Sequence, residues 1–112
     1  MENQKVYEIG FWIRISANLE EEINKVLNLI EKFDGIIIEK TIPKKKTLAY
    51  PIDKETTGYF NYILFIGKPE SIDKIKEELK FYKNILRFII IKRRINPKEK
   101  LANIQTQSDE SK

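Results

Sequence analysis

Lys44-Lys45-Lys46 and Lys92-Arg93-Arg94 are the stretches of this chain whose residue types and spacing could do chemistry, and that chemistry is electrostatic. Each phosphate neutralised by a basic side chain releases counterions. Four such contacts would make log affinity fall against log salt with a slope of roughly −3 to −4. Arginine can grip phosphate as a bidentate fork, whereas lysine supplies a point charge. Lys5, beside Tyr7, forms a third basic cluster. The competing reading for all three is ordinary solvated charge. The 92–94 run is the stronger candidate, because it follows a strand end and leads into a polar tail that could order on RNA.

Covalent and proton-transfer chemistry find no comparable foothold. The chain has no cysteine and no histidine, which removes disulfides, thiolate nucleophiles, thiolate metal sites and the usual base near neutral pH. Glu20-Glu21-Glu22 and Glu77-Glu78 are sequence neighbours that point in different directions around helices, so they read as solvated surface rather than paired acids. No P-loop, dinucleotide fingerprint or EF-hand pattern occurs. The chain is therefore expected to be no enzyme and to take no cofactor or metal. With 21 basic and 17 acidic side chains the net charge is +4, a modest lean toward a polyanionic partner. No apolar run reaches the roughly 18 residues of a membrane helix, and MENQKVYEIG lacks the regions of a signal peptide, so a soluble, cytoplasmic protein is expected.

A chain of 112 residues can bury one core but not two. Residues 6–15 alternate, with Ile9, Phe11, Ile13 and Ile15 on one side and Glu8, Gly10, Trp12 and Arg14 on the other, which is the period of a strand. A capping residue, Ser16 or Asn18, then precedes acidic residues 20–22 and an apolar stripe of Ile23, Val26, Leu27, Ile30 and Phe33, a helix over about 19–33 stopped by Asp34-Gly35. Residues 36–42 begin a second strand that bends at Pro43 and resumes through KKKTLAY. The stretch LAYPIDKETTGYF passes through a long polar turn into a third strand, 59–66. Pro69 then opens a second helix carrying Ile72, Ile75 and Leu79, and residues 85–92 form the fourth strand.

This β-α-β-β-α-β order predicts an α+β, ferredoxin-like sandwich over residues 1–94, a four-stranded antiparallel sheet with both helices on one face. Residues 95–112 read as a polar tail, expected to be disordered unless a partner orders it. Alternation assigns Ile9, Phe11, Ile13, Ile63, Phe65, Phe88 and Ile90 to the helix side. The open face then receives Trp12, Tyr62, Leu64, Ile66, Ile89 and Ile91, with Arg14 and Arg87. An open sheet face is normally polar. An apolar one is expected to be covered, and protein docking is favoured over internal packing or base stacking because most of these residues are aliphatic.

LAYPI at 48–52, Lys54, GYF at 58–60, YE at 7–8 and the run from Asn84 to Lys92 together resemble the bacterial family of the sixth small-subunit ribosomal protein. The resemblance spans about residues 5–93. It departs from the family at Lys44, where a glycine usually stands shortly before two basic residues. It implies a structural, RNA-binding protein of the ribosome that forms a heterodimer with the eighteenth small-subunit protein on the central domain of the small-subunit (16S) ribosomal RNA. Arg87 matches a basic position of the family. The resemblance also places the hairpin with Tyr50 and Lys54 near the partner protein. The chain ends Glu110-Ser111-Lys112, so the C-terminal glutamylation of some members is not carried over.

Two rivals share the element order. An RNA-recognition motif fails at Gly58-Tyr59-Phe60-Asn61, where its signature needs a small residue followed by another aromatic. A small-molecule-sensing ferredoxin-like domain that homodimerises through its sheet would use the apolar face, but it gives the basic tail no role.

Overall fold

The computed structural model describes residues 4–94. The elements are β1 (Lys5–Arg14), α1 (Leu19–Lys32), β2 (Ile36–Lys40), β3 (Lys44–Ile52), β4 (Glu55–Gly67), α2 (Pro69–Leu79) and β5 (Ile85–Arg93). The sheet runs β2-β4-β1-β5, with β3 also paired to β4, and every pairing is antiparallel. Both helices cover one face. Ile9, Phe11, Ile13, Ile63 and Phe65 from the sheet bury against Val26, Leu29 and Ile30 of α1 and Ile72, Ile75 and Leu79 of α2.

The helices begin as their sequences dictate. Asn18 Oδ1 accepts from the Glu21 N–H at 3.0 Å, and Glu20, Glu21 and Glu22 fill the first turn of α1, where the helix dipole favours negative charge. Pro69 occupies the first turn of α2, where its missing N–H leaves no intrahelical bond unmade.

Two expectations for the second strand are corrected. Instead of one bent strand there are two segments on β4, so the sheet has five strand segments rather than four. At the break the Tyr62 N–H donates to Thr41 Oγ1 (2.9 Å) and the Thr41 N–H donates to the Tyr62 carbonyl (3.0 Å). A hydroxyl thus takes the place of a ladder carbonyl just before Pro43, which has no N–H to continue the pairing. The polar turn is also far shorter than expected. Ile52 pairs with Glu55 across a two-residue loop, Asp53-Lys54, with φ of 51 and 67 degrees. Two successive positive φ values make a type I′ hairpin, whose twist matches that of the flanking strands, so β4 starts at Glu55.

The hairpin is tied to the end of β1. The Arg14 guanidinium pairs with Asp53 and with Glu55 (3.2 Å) and donates to the Lys83 carbonyl at 3.3 Å. The hydrogen bond to Asp53 raises its already high pKa further. On the helix side, buried Glu22 accepts from Asn84 Nδ2 (3.0 Å) and Lys25 Nζ (3.3 Å), fastening α1 to the turn before β5. The expected tail, residues 95–112, lies outside the described residues.

Candidate nucleic-acid and protein interface

The helix-free face is apolar, but its parts are not alike. Cross-strand pairs put Val6 beside Ile66, Glu8 beside Leu64, Gly10 beside Tyr62 and Trp12 beside Phe60. On the other flank Glu8 meets Ile91, Gly10 meets Ile89 and Trp12 meets Arg87. Side chains paired in this way share one face of the sheet. Trp12, Tyr62, Leu64, Ile66, Arg87, Ile89 and Ile91 therefore stand together on the side away from the helices, as their alternation predicts.

Exposure divides them. Leu64 (5%) and Ile66 (2%) are buried with Val6 and Ile38, and Tyr62 packs against the group. The register of β2 slips between Ile37 and Glu39, and the extra residue there, Ile38, joins this second cluster. Leu64 and Ile66 thus support the face from within. Ile89 (56%) and Ile91 (46%), on β5, are accessible aliphatic surface on one edge, as Ile36, paired with Ile66, is on the other. Because β5 pairs with β1 alone, its outer backbone edge has no strand partner among the described residues.

The candidate phosphate ligands fall at two ends of the sheet, and not all on this face: Lys92 pairs with Tyr7, and Lys5 shares the parity of Tyr7, so both stand on the helix side. Lys44 and Lys46 pair with Phe60 and Gly58, on the open side, whereas Lys45 pairs with Tyr59 and turns the other way. Lys46 Nζ lies 5.2 Å from the Phe60 ring centroid. Arg87 is exposed at the opposite edge of the same row. At the other end of β1, Lys5 pairs with Gly67, which precedes Lys68, and Val6 pairs with Arg93, so Lys5, Lys68, Lys92, Arg93 and Arg94 crowd one corner. All five are exposed. Arg93 is already engaged by Glu8, Nη1 to Oε1 at 2.6 Å.

Tyr7, grouped with Lys5 in the sequence reading, belongs to the helix-side core. It is 6% exposed, and its ring stacks on Phe65 with centroids 5.8 Å apart, so it offers RNA almost no ring surface. Its parity with Ile9 and Phe11 is the signal that gives this position away. Burial raises the Tyr7 hydroxyl pKa, with a further rise from Glu70. Tyr50 is 74% exposed and Lys54 occupies the turn, so the β3–β4 hairpin presents both outward.

Phe60 is the residue that sequence reasoning missed. It shares the parity of Tyr62, but the third strand was expected to start only one residue before it. Its ring centroid lies 4.9 Å from that of Trp12, tilted by 49 degrees. Among the described residues no group of three or more metal-ligating side chains converges, and no helix is long and apolar enough to cross a membrane. What the site can do is hold phosphate, stack rings and bury apolar surface.

Residues 6–92 match the family described as ribosomal protein S6. The small ribosomal subunit protein bS6 of Syntrophomonas wolfei is 35% identical over 94 residues, covering 79% of this chain and 95% of that one. The bS6 protein of Leptospira biflexa is 31% identical over 86 residues, covering 77% and 93%. Among solved structures, 30S ribosomal protein S6 from Thermotoga maritima superposes with a TM-score of 0.73 at 19% identity, covering 96% of this chain and 97% of that one. The P2 domain of the chemotaxis kinase CheA from the same organism shares the fold at a TM-score of 0.58 and 19% identity, covering 80% and 99%. Architecture alone therefore does not choose a function, but the match along the sequence does: this chain belongs to the ribosomal protein S6 family, structural proteins of the small ribosomal subunit.

Proposed function

We propose that the chain is a non-catalytic constituent of the cytoplasmic ribosome that binds the central domain of 16S ribosomal RNA jointly with the eighteenth small-subunit ribosomal protein. The observation that carries this reading is an accessible aliphatic strip, Ile89 and Ile91, on a single-paired edge strand of a sheet with exposed cations at both ends. An exposed edge of this kind can accept a strand or an apolar segment from another polypeptide. Tyr50 and Lys54 extend that surface along the hairpin, and Trp12 and Tyr62 border it. Lys44, Lys46 and Arg87 supply phosphate contacts at one end of the open face and Arg93 at the other, while Lys45, Lys5 and Lys92 offer theirs from the opposite side of the sheet and Arg94 from the end of β5. The identity of both partners comes from the family resemblance.

The test mixes the full chain, the eighteenth small-subunit protein and a central-domain RNA fragment. The pair is expected to bind the RNA at least about tenfold more tightly than either protein alone, a gain of about 1.4 kcal/mol or more. Ile89→Lys with Ile91→Lys should abolish that gain while leaving the weak binding of the single chain. Equal RNA affinity with and without the partner would contradict joint binding. A stable homodimer carrying a metabolite, with no RNA affinity, would favour the sensor reading.

A further inference from the structure

The row that crosses the sheet at Trp12 has a composition that neither phosphate binding nor protein docking requires. Register aligns Lys44, Phe60, Trp12 and Arg87 on β3, β4, β1 and β5, a cation at each end and two aromatic rings between them. Both rings rest over glycines. A Cβ on Gly10 would stand 3.3 Å from Cε1 and from Cζ of Phe60, and one on Gly58 would stand 3.7 Å from Cε3 of Trp12. Neither glycine has a positive φ, so the backbone does not require them. Their effect is to leave room beside the Trp12–Phe60 cross-strand pair, so that each ring can lean over a bare stretch of backbone.

We infer that the Phe60–Trp12 pair is a stacking platform for unpaired nucleotides of RNA, with Lys44, Lys46 and Arg87 holding the phosphates on either side. Charge complementarity selects the occupant. No described carboxylate forms an ion pair with Lys46 or Arg87, whereas Glu8 and the Asp53–Glu55 pair on the flanks are engaged by Arg93 and Arg14. An exposed basic frame around two aromatic faces suits nucleobases, which stack on any ring, and suits a single strand rather than a duplex, whose bases already stack on one another. Lys46, now over the Phe60 ring, can exchange that face for a phosphate. Ile89 Cγ2 lies 3.7 Å from the same Gly10 Cβ position, so the platform adjoins the aliphatic strip. Trp12, expected from sequence to dock protein, would then sit where the two partners meet.

This inference rests on the RNA-binding reading above, and the experiment separates the two. Trp12 is the chain's single tryptophan, so its emission reports on the platform directly. The full chain is titrated with adenylate and uridylate single strands, with an RNA duplex of equal phosphate number, and with the central-domain fragment. Single strands should quench Trp12 and bind more tightly than the duplex. Phe60→Leu and Trp12→Leu should each weaken single-strand binding by about fivefold to a hundredfold. Trp12→Phe should restore it, and circular dichroism checks the fold of every variant. Equal binding of single strand and duplex with unchanged emission would overturn the platform while leaving RNA binding intact. So would the eighteenth protein alone shielding Trp12 and abolishing the single-strand response. No binding to any RNA would overturn both readings.

Discussion

Gly10 and Gly58 look interchangeable, since both are buried glycines in strands beneath an aromatic ring, yet their surroundings predict opposite results for the same substitution. A methyl group at Gly10 presses only on Phe60 at 3.3 Å, and that half-buried ring can tilt away. Gly10→Ala should therefore stay within about 1 kcal/mol of the parent, because reduced unfolded-state freedom offsets the crowding. At Gly58 the nearest atom is the Ile13 carbonyl oxygen, 3.2 Å away in the backbone of β1, which cannot tilt. Gly58→Ala should cost about 1–3 kcal/mol. Urea denaturation of the two variants decides the matter, and equal losses would contradict this reading of the floor. Charge makes a second contrast. Arg93 is neutralised by Glu8 at 2.6 Å, while Lys45 has a solvated side chain. Lys45→Ala should reduce the salt slope of RNA binding by about 0.7 to 0.9, and an unchanged slope would remove Lys45 from the phosphate contacts. Glu8→Gln should strengthen binding at low salt, because it returns Arg93 to the phosphate. Weaker binding by Glu8→Gln would show that the pair is needed intact.

Elements end here at two places where the backbone turns left-handed without a glycine, at Asp34 and at Asp53-Lys54. At the end of α1, the Asp34 N–H donates to the Glu31 carbonyl (3.0 Å) and the Gly35 N–H to the Ile30 carbonyl (2.9 Å), the Schellman pattern, with Asp34 at φ 68 degrees. At the hairpin, Lys54 holds φ 67 degrees. A left-handed L-residue costs roughly 1–2 kcal/mol, and glycine returns part of that gain as unfolded-state entropy, about 0.5–1 kcal/mol. Asp34→Gly and Lys54→Gly should thus each stabilise the protein by about 0.5–1 kcal/mol, and the Arg14–Asp53 pair remains in the second. Gly35→Ala should do the reverse, because its Cβ would fall 2.4 Å from Ile30 Cγ2 and 2.9 Å from the Ile30 carbonyl. Thermal melts of the three would test the set, and destabilisation by Asp34→Gly would refute the strain argument. The same places mark the limit of what the sequence discloses. Asp34-Gly35 signals a stop, but not which residue turns left-handed. Asp53-Lys54 carries no glycine or asparagine to announce a two-residue turn, so the hairpin reads as a long loop. The alternation in β1, β4 and β5 is legible because one face of each must be buried, and a one-residue slip would invert it. The burial of Leu64 and Ile66 is not, because it depends on a bulge in another strand that brings Ile38 over them.

For the molecule as a whole, composition fixes how stability responds to pH. The chain has no histidine, so the side chain that ordinarily titrates between pH 5 and 8 is missing, and stability should change little from mildly acidic to mildly alkaline solution. On the alkaline side two tyrosines contribute. Burial raises the hydroxyl pKa of Tyr7, with a contribution from Glu70. Burial likewise raises that of Tyr82, where Glu78 and Glu22 add to the rise and Lys32 and Lys25 oppose it. In each case the folded state holds the phenolic proton more firmly than the unfolded chain, whose value is near 10. Their contribution is therefore fully present below about pH 10 and is lost as pH climbs through the higher folded values. Comparing the parent with Tyr7→Phe/Tyr82→Phe consequently isolates the tyrosines. The urea midpoint of the parent should fall more steeply above pH 10 than that of the double variant, and the two curves should run parallel below it. Parallel curves throughout would mean that neither ring is buried in solution as it is here, and the helix-side core around Phe65 would need to be redrawn.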